Sequence, residues 1–270
     1  MNPIVWNYVS YFLKLLLLTL GTVAVCGFAV RLCAMLFSKL LGHGGGAVFD
    51  ITSVIGTPVH ELGHAAMCLL FCHRITDICL WSPTAKNGVY GYVEHSYNRK
   101  NAWARLGSLF IGVGPIFSGL GVTVLALWLC FPNQWENYLT VTRTLSADGT
   151  TAKDLADGIF SLFRSLPAAF GSDWLRATLG LIVILPVSLH ISLSWADVKG
   201  SASAMPFYLA ITALFALVTL LLRLDGTITS WLWLLNLRVL SLFSLVIAFA
   251  AVWVAIGLLI RLIRLIISWF

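Results

Sequence analysis

Apolar residues occur along the chain in six long runs separated by shorter polar segments. Runs of about 20 apolar residues can cross the roughly 30 Å hydrocarbon core of a bilayer as helices. The pattern therefore predicts an all-α polytopic membrane protein with about six transmembrane helices. The predicted spans are residues 8–30, 51–72, 103–130, 174–195, 205–222 and 231–260.

The polar segment between the second and third spans lacks the period of a helix. Residues 75–81 form an apolar run suited to a strand, and residues 89–93 alternate as a returning strand. The dipeptide Asn87-Gly88 between them is typical of a hairpin turn. We therefore expect a β-hairpin that packs against the membrane-facing part of the fold. Residues Glu94 and His95 follow it and are expected at the surface, with a lesser expectation that they line a site.

The longest polar connection, residues 131–173, contains apolar residues at helical spacing between positions 155 and 166. This spacing predicts a short amphipathic helix that lies on the bilayer surface and ends before Pro167.

Composition agrees with this pattern and excludes several classes of protein. Hydrophobic residues make up 59% of the 270 and charged residues 10%, and a soluble domain of mean hydropathy +0.92 would expose large apolar patches. We interpret residues 1–270 as one integral membrane domain. The net charge of +6 does not indicate nucleic-acid binding, because lysines and arginines are scattered at span ends.

The distribution of lysines and arginines favours an orientation with both termini on the cytoplasmic side. Arg31 and Lys39 oppose this orientation.

The second predicted span carries the sequence His60-Glu61-Leu62-Gly63-His64. Residues four apart share a helix face, so His60 and His64 can hold one metal ion while Glu61 stands beside it as a general base. Two imidazoles are two of the three protein ligands of a catalytic zinc ion. The motif predicts a zinc-dependent hydrolase.

A third ligand has to come from elsewhere in the chain. We favour Asp197, a carboxylate at the end of the fourth span and on the same side of the membrane as the motif. His190 is the rival, either as the ligand or as a group that holds a substrate carbonyl; its other interpretation is a histidine bonded to a helix carbonyl. If the helix persists past Pro186, His190 and Asp197 share one face of it.

These residues resemble the site-2 protease family of intramembrane zinc metalloproteases, and more closely its small bacterial branch. The resemblance covers about residues 50–200. It rests on the His60–His64 motif in a span, on Gly112-Val113-Gly114-Pro115-Ile116-Phe117-Ser118 in the next, on Asp197, and on Arg74-Ile75-Thr76-Asp77 leading to Gly88-Val89. The chain departs from the family in having Ser118 where asparagine is usual, and residues 192–200 replace the usual Asn-Pro stretch.

The resemblance implies zinc ligands at His60, His64 and Asp197 and a catalytic glutamate at Glu61. It also implies cleavage of a substrate protein's transmembrane helix within or near the bilayer of a bacterial cytoplasmic membrane. The hairpin, with Asn87, Gly88 and Val89, would present an edge strand to the unwound substrate. The kinked helix with Gly114, Pro115 and Ser118 would border the site, and residues 201–270 would be scaffold helices.

Two other functions stay open at the level of the sequence. A metal-binding transporter or sensor could line an ion path with the same histidines and Asp197, although a base at Glu61 has no purpose in transport. A non-proteolytic scaffold could keep the fold, although buried His and Glu are costly in lipid. The oligomeric state is left open.

Overall fold

The computed structural model describes residues 3–83, 89–144 and 152–269. Within these residues the chain is mostly helical, with one two-stranded sheet. A π-helical segment, Leu17–Gly21, joins the first two helices. The elements in chain order are α1 (Pro3–Leu16), α2 (Thr22–Leu41), α3 (His43–Leu70), β1 (Arg74–Cys79), β2 (Tyr92–Ser96), α4 (Ala102–Cys130), α5 (Pro132–Thr144), α6 (Ala152–Ser172), α7 (Trp174–His190), α8 (Trp195–Ala202), α9 (Met205–Leu221) and α10 (Asp225–Ile267).

Three helical stretches of the described chain are long and apolar enough to cross a membrane: Pro3–Leu41, Ala102–Cys130 and Asp225–Ile267. A fourth stretch qualifies only if α7 and α8, which are bent by 57° at a break, count as one span. The apolar membrane-protein character is therefore confirmed, whereas six spans are not. The predicted second and fifth spans coincide with α3, which carries several polar side chains, and with α9, which has only 17 residues.

The main core joins α2, α4, α7 and α10. Beside it, α3 packs directly on α4, because glycines face each other at the crossing. A Cβ atom on Gly63 would lie 2.6 Å from the carbonyl of Gly114, and one on Gly114 would lie 2.5 Å from the carbonyl oxygen of Gly63. The two backbones thus touch, as small residues allow in membrane bundles.

The predicted hairpin is present, with β1 and β2 antiparallel and a bulge between Ile75 and Asp77. The returning strand is Tyr92–Ser96 rather than residues 89–93. The residues before it still follow the first strand, since the backbone N–H of Ser82 donates to the carbonyl oxygen of Tyr90 at 2.7 Å. They also pack on α3: the hydroxyl of Tyr90 donates to Asp50, and a Cβ on Gly91 would lie 2.8 Å from Thr57 Cγ2. Asn87 and Gly88, the predicted turn, are outside the described residues.

Residues 131–173 contain two helices, α5 and α6. The prediction that the amphipathic helix ends before Pro167 is wrong, since α6 continues to Ser172. Burial explains the continuation. Ala169 packs in the same cluster as Leu162, Tyr138 of α5 and Ala177 of α7, so the last turn of α6 is held by apolar contacts despite the proline.

Candidate metal centre

Three predicted ligands meet between α3, α4 and α8. His64 Nε2 lies 3.2 Å from Asp197 Oδ1, and His60 Nε2 lies 3.7 Å from Asp197 Oδ2. The two Nε2 atoms are 3.2 Å apart. One ligand atom from each of the three residues can be chosen so that all lie within 4.8 Å of one another, and in the described chain these residues form a group that could hold a metal ion.

Backbone carbonyls orient both imidazoles through their other ring nitrogen. His64 Nδ1 donates to the carbonyl oxygen of Ile111 at 2.8 Å, and His60 Nδ1 donates to that of His190 at 2.7 Å. Because a carbonyl only accepts, Nδ1 carries the proton in each ring. In the neutral rings both Nε2 lone pairs therefore point toward the same place, as is typical of metal-binding histidines.

These two carbonyls are available because their own helices do not use them. Pro115 has no N–H, so it cannot bond the carbonyl four residues earlier, which is that of Ile111. His190 is the last residue of α7, where carbonyls lack helical partners. A proline inside α4 and the end of α7 thus leave free the two carbonyl acceptors that fix the imidazoles.

Asp197 is held by the start of α8. Ser194 caps this helix: its Oγ accepts from the backbone N–H of Asp197 at 3.1 Å, and its own N–H donates to Asp197 Oδ2 at 2.7 Å. This capping box fixes the carboxylate in the first turn. Gly112 of α4 makes the approach of α8 sterically feasible, because a Cβ there would lie 2.7 Å from the carbonyl oxygen of Asp197.

His190 does not join the three ligand side chains. The expectation of one helix face for His190 and Asp197 is wrong, because α7 ends at His190 and α8 begins at Trp195. The His190 ring packs edge-on against Phe49, and its Nε2 bonds the hydroxyl of Thr52 at 3.0 Å. Its backbone carbonyl, rather than its ring, supports the metal centre through His60.

Glu61 and the three ligand residues line one cavity of about 730 Å³. Glu61 is only 7% exposed. Strand β2 and the segment before it form another wall of this cavity, including the predicted residue Val89. A carboxylate, a group that could hold a metal ion and a strand therefore line one cavity.

The remaining predicted residues lie at the crossing of α3 and α4. Ser118 Oγ donates to the carbonyl oxygens of Val59 at 2.7 Å and Pro115 at 3.0 Å. Gly114 allows the backbone contact with Gly63. Gly114 and Ser118 thus position the motif helix α3 against α4, and Pro115 acts on His64 by leaving the carbonyl of Ile111 without a helical partner.

Several residues of this site escaped sequence reasoning. Ser194 could have been found, since a serine three residues before an acidic residue is a helix-start signal. The carbonyl of Ile111 could have been found from the position of Pro115. Ser108, which lines the cavity from α4, and His73, which bonds His95 and the carbonyl of Ala104, have no local pattern that marks them, because their contacts join elements remote in sequence.

Comparison of the chain with protein-family models, with curated proteins and with solved structures gives no match.

Proposed function

We propose that this protein is a zinc-dependent endopeptidase that hydrolyses peptide bonds in transmembrane or membrane-adjacent segments of other proteins. One observation carries the proposal. Two oriented imidazole lone pairs and a carboxylate converge on one point, with Glu61 in the same cavity. Converging lone pairs repel one another unless a cation lies between them, and two nitrogens with one carboxylate oxygen are a donor set that suits catalytic zinc.

Glu61 would act as the proton carrier of the reaction. A zinc ion bound at this centre would lower the pKa of its water to about 7 and polarise the substrate carbonyl. Glu61 would accept the proton of the attacking water and later donate it to the departing amine. The buried position of Glu61 favours this shuttling, because bulk water would compete for the proton in an open site.

The hairpin gives the substrate a way to enter as an extended chain. Strand β2 pairs with β1 on one side only, within the described sheet, and it lines the cavity. A peptide that adds along the edge of β2 opposite β1 would expose its own amide groups, whereas a helical peptide keeps them shielded. We propose that a substrate helix unwinds along β2 before cleavage.

The resemblance to bacterial site-2 proteases extends the proposal to location. We propose that the chain crosses the cytoplasmic membrane of a bacterium several times, with α3 inside the bundle. The three long apolar stretches support this arrangement.

Metal analysis of purified variants tests the proposed centre. We expect about one zinc per chain in the wild-type protein, loss of zinc in His60→Ala and Asp197→Ala, and retention in His190→Ala, whose backbone carbonyl remains. Retention of zinc by Asp197→Ala would contradict the ligand set. Measuring metal flux into sealed liposomes distinguishes the peptidase from the transporter alternative, since a transporter would carry metal ions across the bilayer and a peptidase would not.

A further inference from the structure

Two histidines outside the metal centre form a directional hydrogen-bond chain. His73 Nε2 bonds the carbonyl oxygen of Ala104 at 2.7 Å, so this nitrogen carries a proton. His73 Nδ1 lies 3.0 Å from His95 Nδ1. When both rings are neutral, His73 Nδ1 is the acceptor and His95 Nδ1 carries the proton.

This chain leaves the lone pair of His95 on Nε2. His95 lies on β2 and lines the same cavity as the metal centre, and no partner for its Nε2 is found among the described residues. Burial lowers the pKa of His95, and the neighbouring His73 lowers it further, which favours the neutral ring at pH 7. Tyr97 stacks on His73 with ring centroids 4.4 Å apart and keeps that ring in place. His95 thus offers a fixed hydrogen-bond acceptor to the cavity.

A second polar group lines the same cavity. Ser108 is 6% exposed and lines the cavity, and its Oγ has no hydrogen-bond partner in the part of the chain that is described. Buried hydroxyls are normally paired, and rotation of this side chain toward the cavity would let its hydroxyl pair with a bound ligand. Ser108 follows Ala104, the acceptor of His73, by four residues, so both lie on one face of α4.

We propose that His95 and Ser108 form a subsite for the backbone of one residue of the substrate. The N–H and C=O of one residue in an extended chain point to the same side. This N–H donates to His95 Nε2, and this C=O accepts from the hydroxyl of Ser108, whose side chain rotates toward the cavity. The inference rests on the proposed peptidase function, because its ligand is a substrate peptide. His95 and Ser108 contact substrate in this account, whereas His73 is a positioning residue that sets the tautomer of His95.

The helix α4 sets the distance between this subsite and the metal. Ile111 anchors His64, Ser108 lies three residues before it, and Ala104, which anchors His73, lies seven residues before it. These spacings correspond to roughly 5 to 10 Å of helix, which an extended peptide covers in about one to three residues. The bound residue is therefore expected within about three residues of the scissile bond.

An ester scan of a peptide hydroxamate tests the subsite. The hydroxamate binds the zinc-loaded protein, and replacing one amide by an ester removes its N–H but keeps its carbonyl. At one position within about three residues of the scissile bond, we expect the ester to weaken binding to the wild-type protein about tenfold, the effect of one hydrogen bond. His95→Leu should bind amide and ester forms equally, whereas Ser108→Ala should still discriminate. Ser96→Ala, an exposed position on the same strand, is the matched control and should behave as wild type.

Equal ester effects in the wild-type protein and His95→Leu at every position would overturn the proposal. Nitrogen-15 NMR of the histidine rings gives a readout independent of binding: we expect a protonated Nδ1 on His95, lost in His73→Phe, and a protonated Nε2 in the wild-type protein would overturn it. Cleavage by Glu61→Gln at the wild-type rate would instead refute the peptidase function and leave a peptide-binding subsite. Glu61-dependent cleavage with no His95-dependent ester effect would refute the subsite alone.

Discussion

Replacing Gly112 by alanine should damage the metal centre without touching a ligand. The added Cβ would lie 2.7 Å from the carbonyl oxygen of Asp197 and 1.8 Å from Ser201 Oγ. The serine side chain can rotate away, but the carbonyl belongs to the backbone of α8. The distance from the new Cβ to this carbonyl oxygen is about 0.7 Å shorter than the 3.4 Å of an ordinary van der Waals contact. Helix α8 therefore has to move by about that amount, which is several times the ~0.2 Å tolerance of metal–ligand distances.

We expect Gly112→Ala to lower zinc affinity by about 10- to 100-fold, the range found when supporting residues of a metal ligand are lost. Competition with a fluorescent chelator measures the affinity. Gly121→Ala is the matched control, because it lies on the same helix with no atom within 4 Å of the new Cβ. The double variant Gly112→Ala/Ser201→Ala removes only the flexible obstacle and should recover little. Equal zinc affinity in Gly112→Ala and Gly121→Ala would refute the reasoning.

Three further predictions concern the supports of the ligands and the metal itself. Pro115→Ala restores an N–H that competes with His64 for the carbonyl of Ile111, so zinc affinity should fall about tenfold. The melting temperature should stay the same or rise, because a proline is removed from the helix interior. A loss of both zinc affinity and thermal stability would contradict this prediction. Ser194→Ala should lower the free energy of unfolding by about 1 kcal/mol through loss of the helix cap, measured by chemical unfolding, and should weaken zinc binding. Ser194→Thr keeps a capping hydroxyl and should retain the wild-type stability and zinc affinity. Chelation should lower the melting temperature, since ligand at 100 times its Kd stabilises by about 2.7 kcal/mol, and Asp197→Ala should show no such shift.

The metal ligands could be predicted because their chemistry is local or compositionally rare. His60, Glu61 and His64 form a contiguous motif, and Asp197 is a carboxylate at the end of an apolar run. The hairpin was also predictable, since its two strands are close in sequence. The bounds of the returning strand were not, because Tyr90 and Gly91 also contact α3, which the local sequence does not show.

The break between α7 and α8 was missed for a physical reason. The span prediction rested on apolar content, which stays high through residues 191–195, and it passed over the alternation of apolar residues and serines there, which is the period of an extended chain. The break is stabilised by distant groups: Arg31 donates to the carbonyl of Leu193, and Ser194 starts the new helix. The same limitation hid Ser108 and His73, whose roles depend on contacts between elements remote in sequence.

The central claim is tested most directly by measuring zinc content and cleavage on the same preparations of wild-type protein and Glu61→Gln. The substrate is a panel of single-span membrane peptides in phosphatidylcholine liposomes, with fragments identified by mass spectrometry. The account predicts equal zinc content in both proteins and cleavage by the wild-type protein alone. Cleavage by Glu61→Gln at the wild-type rate, or none by the zinc-loaded wild-type protein across the panel, would contradict it.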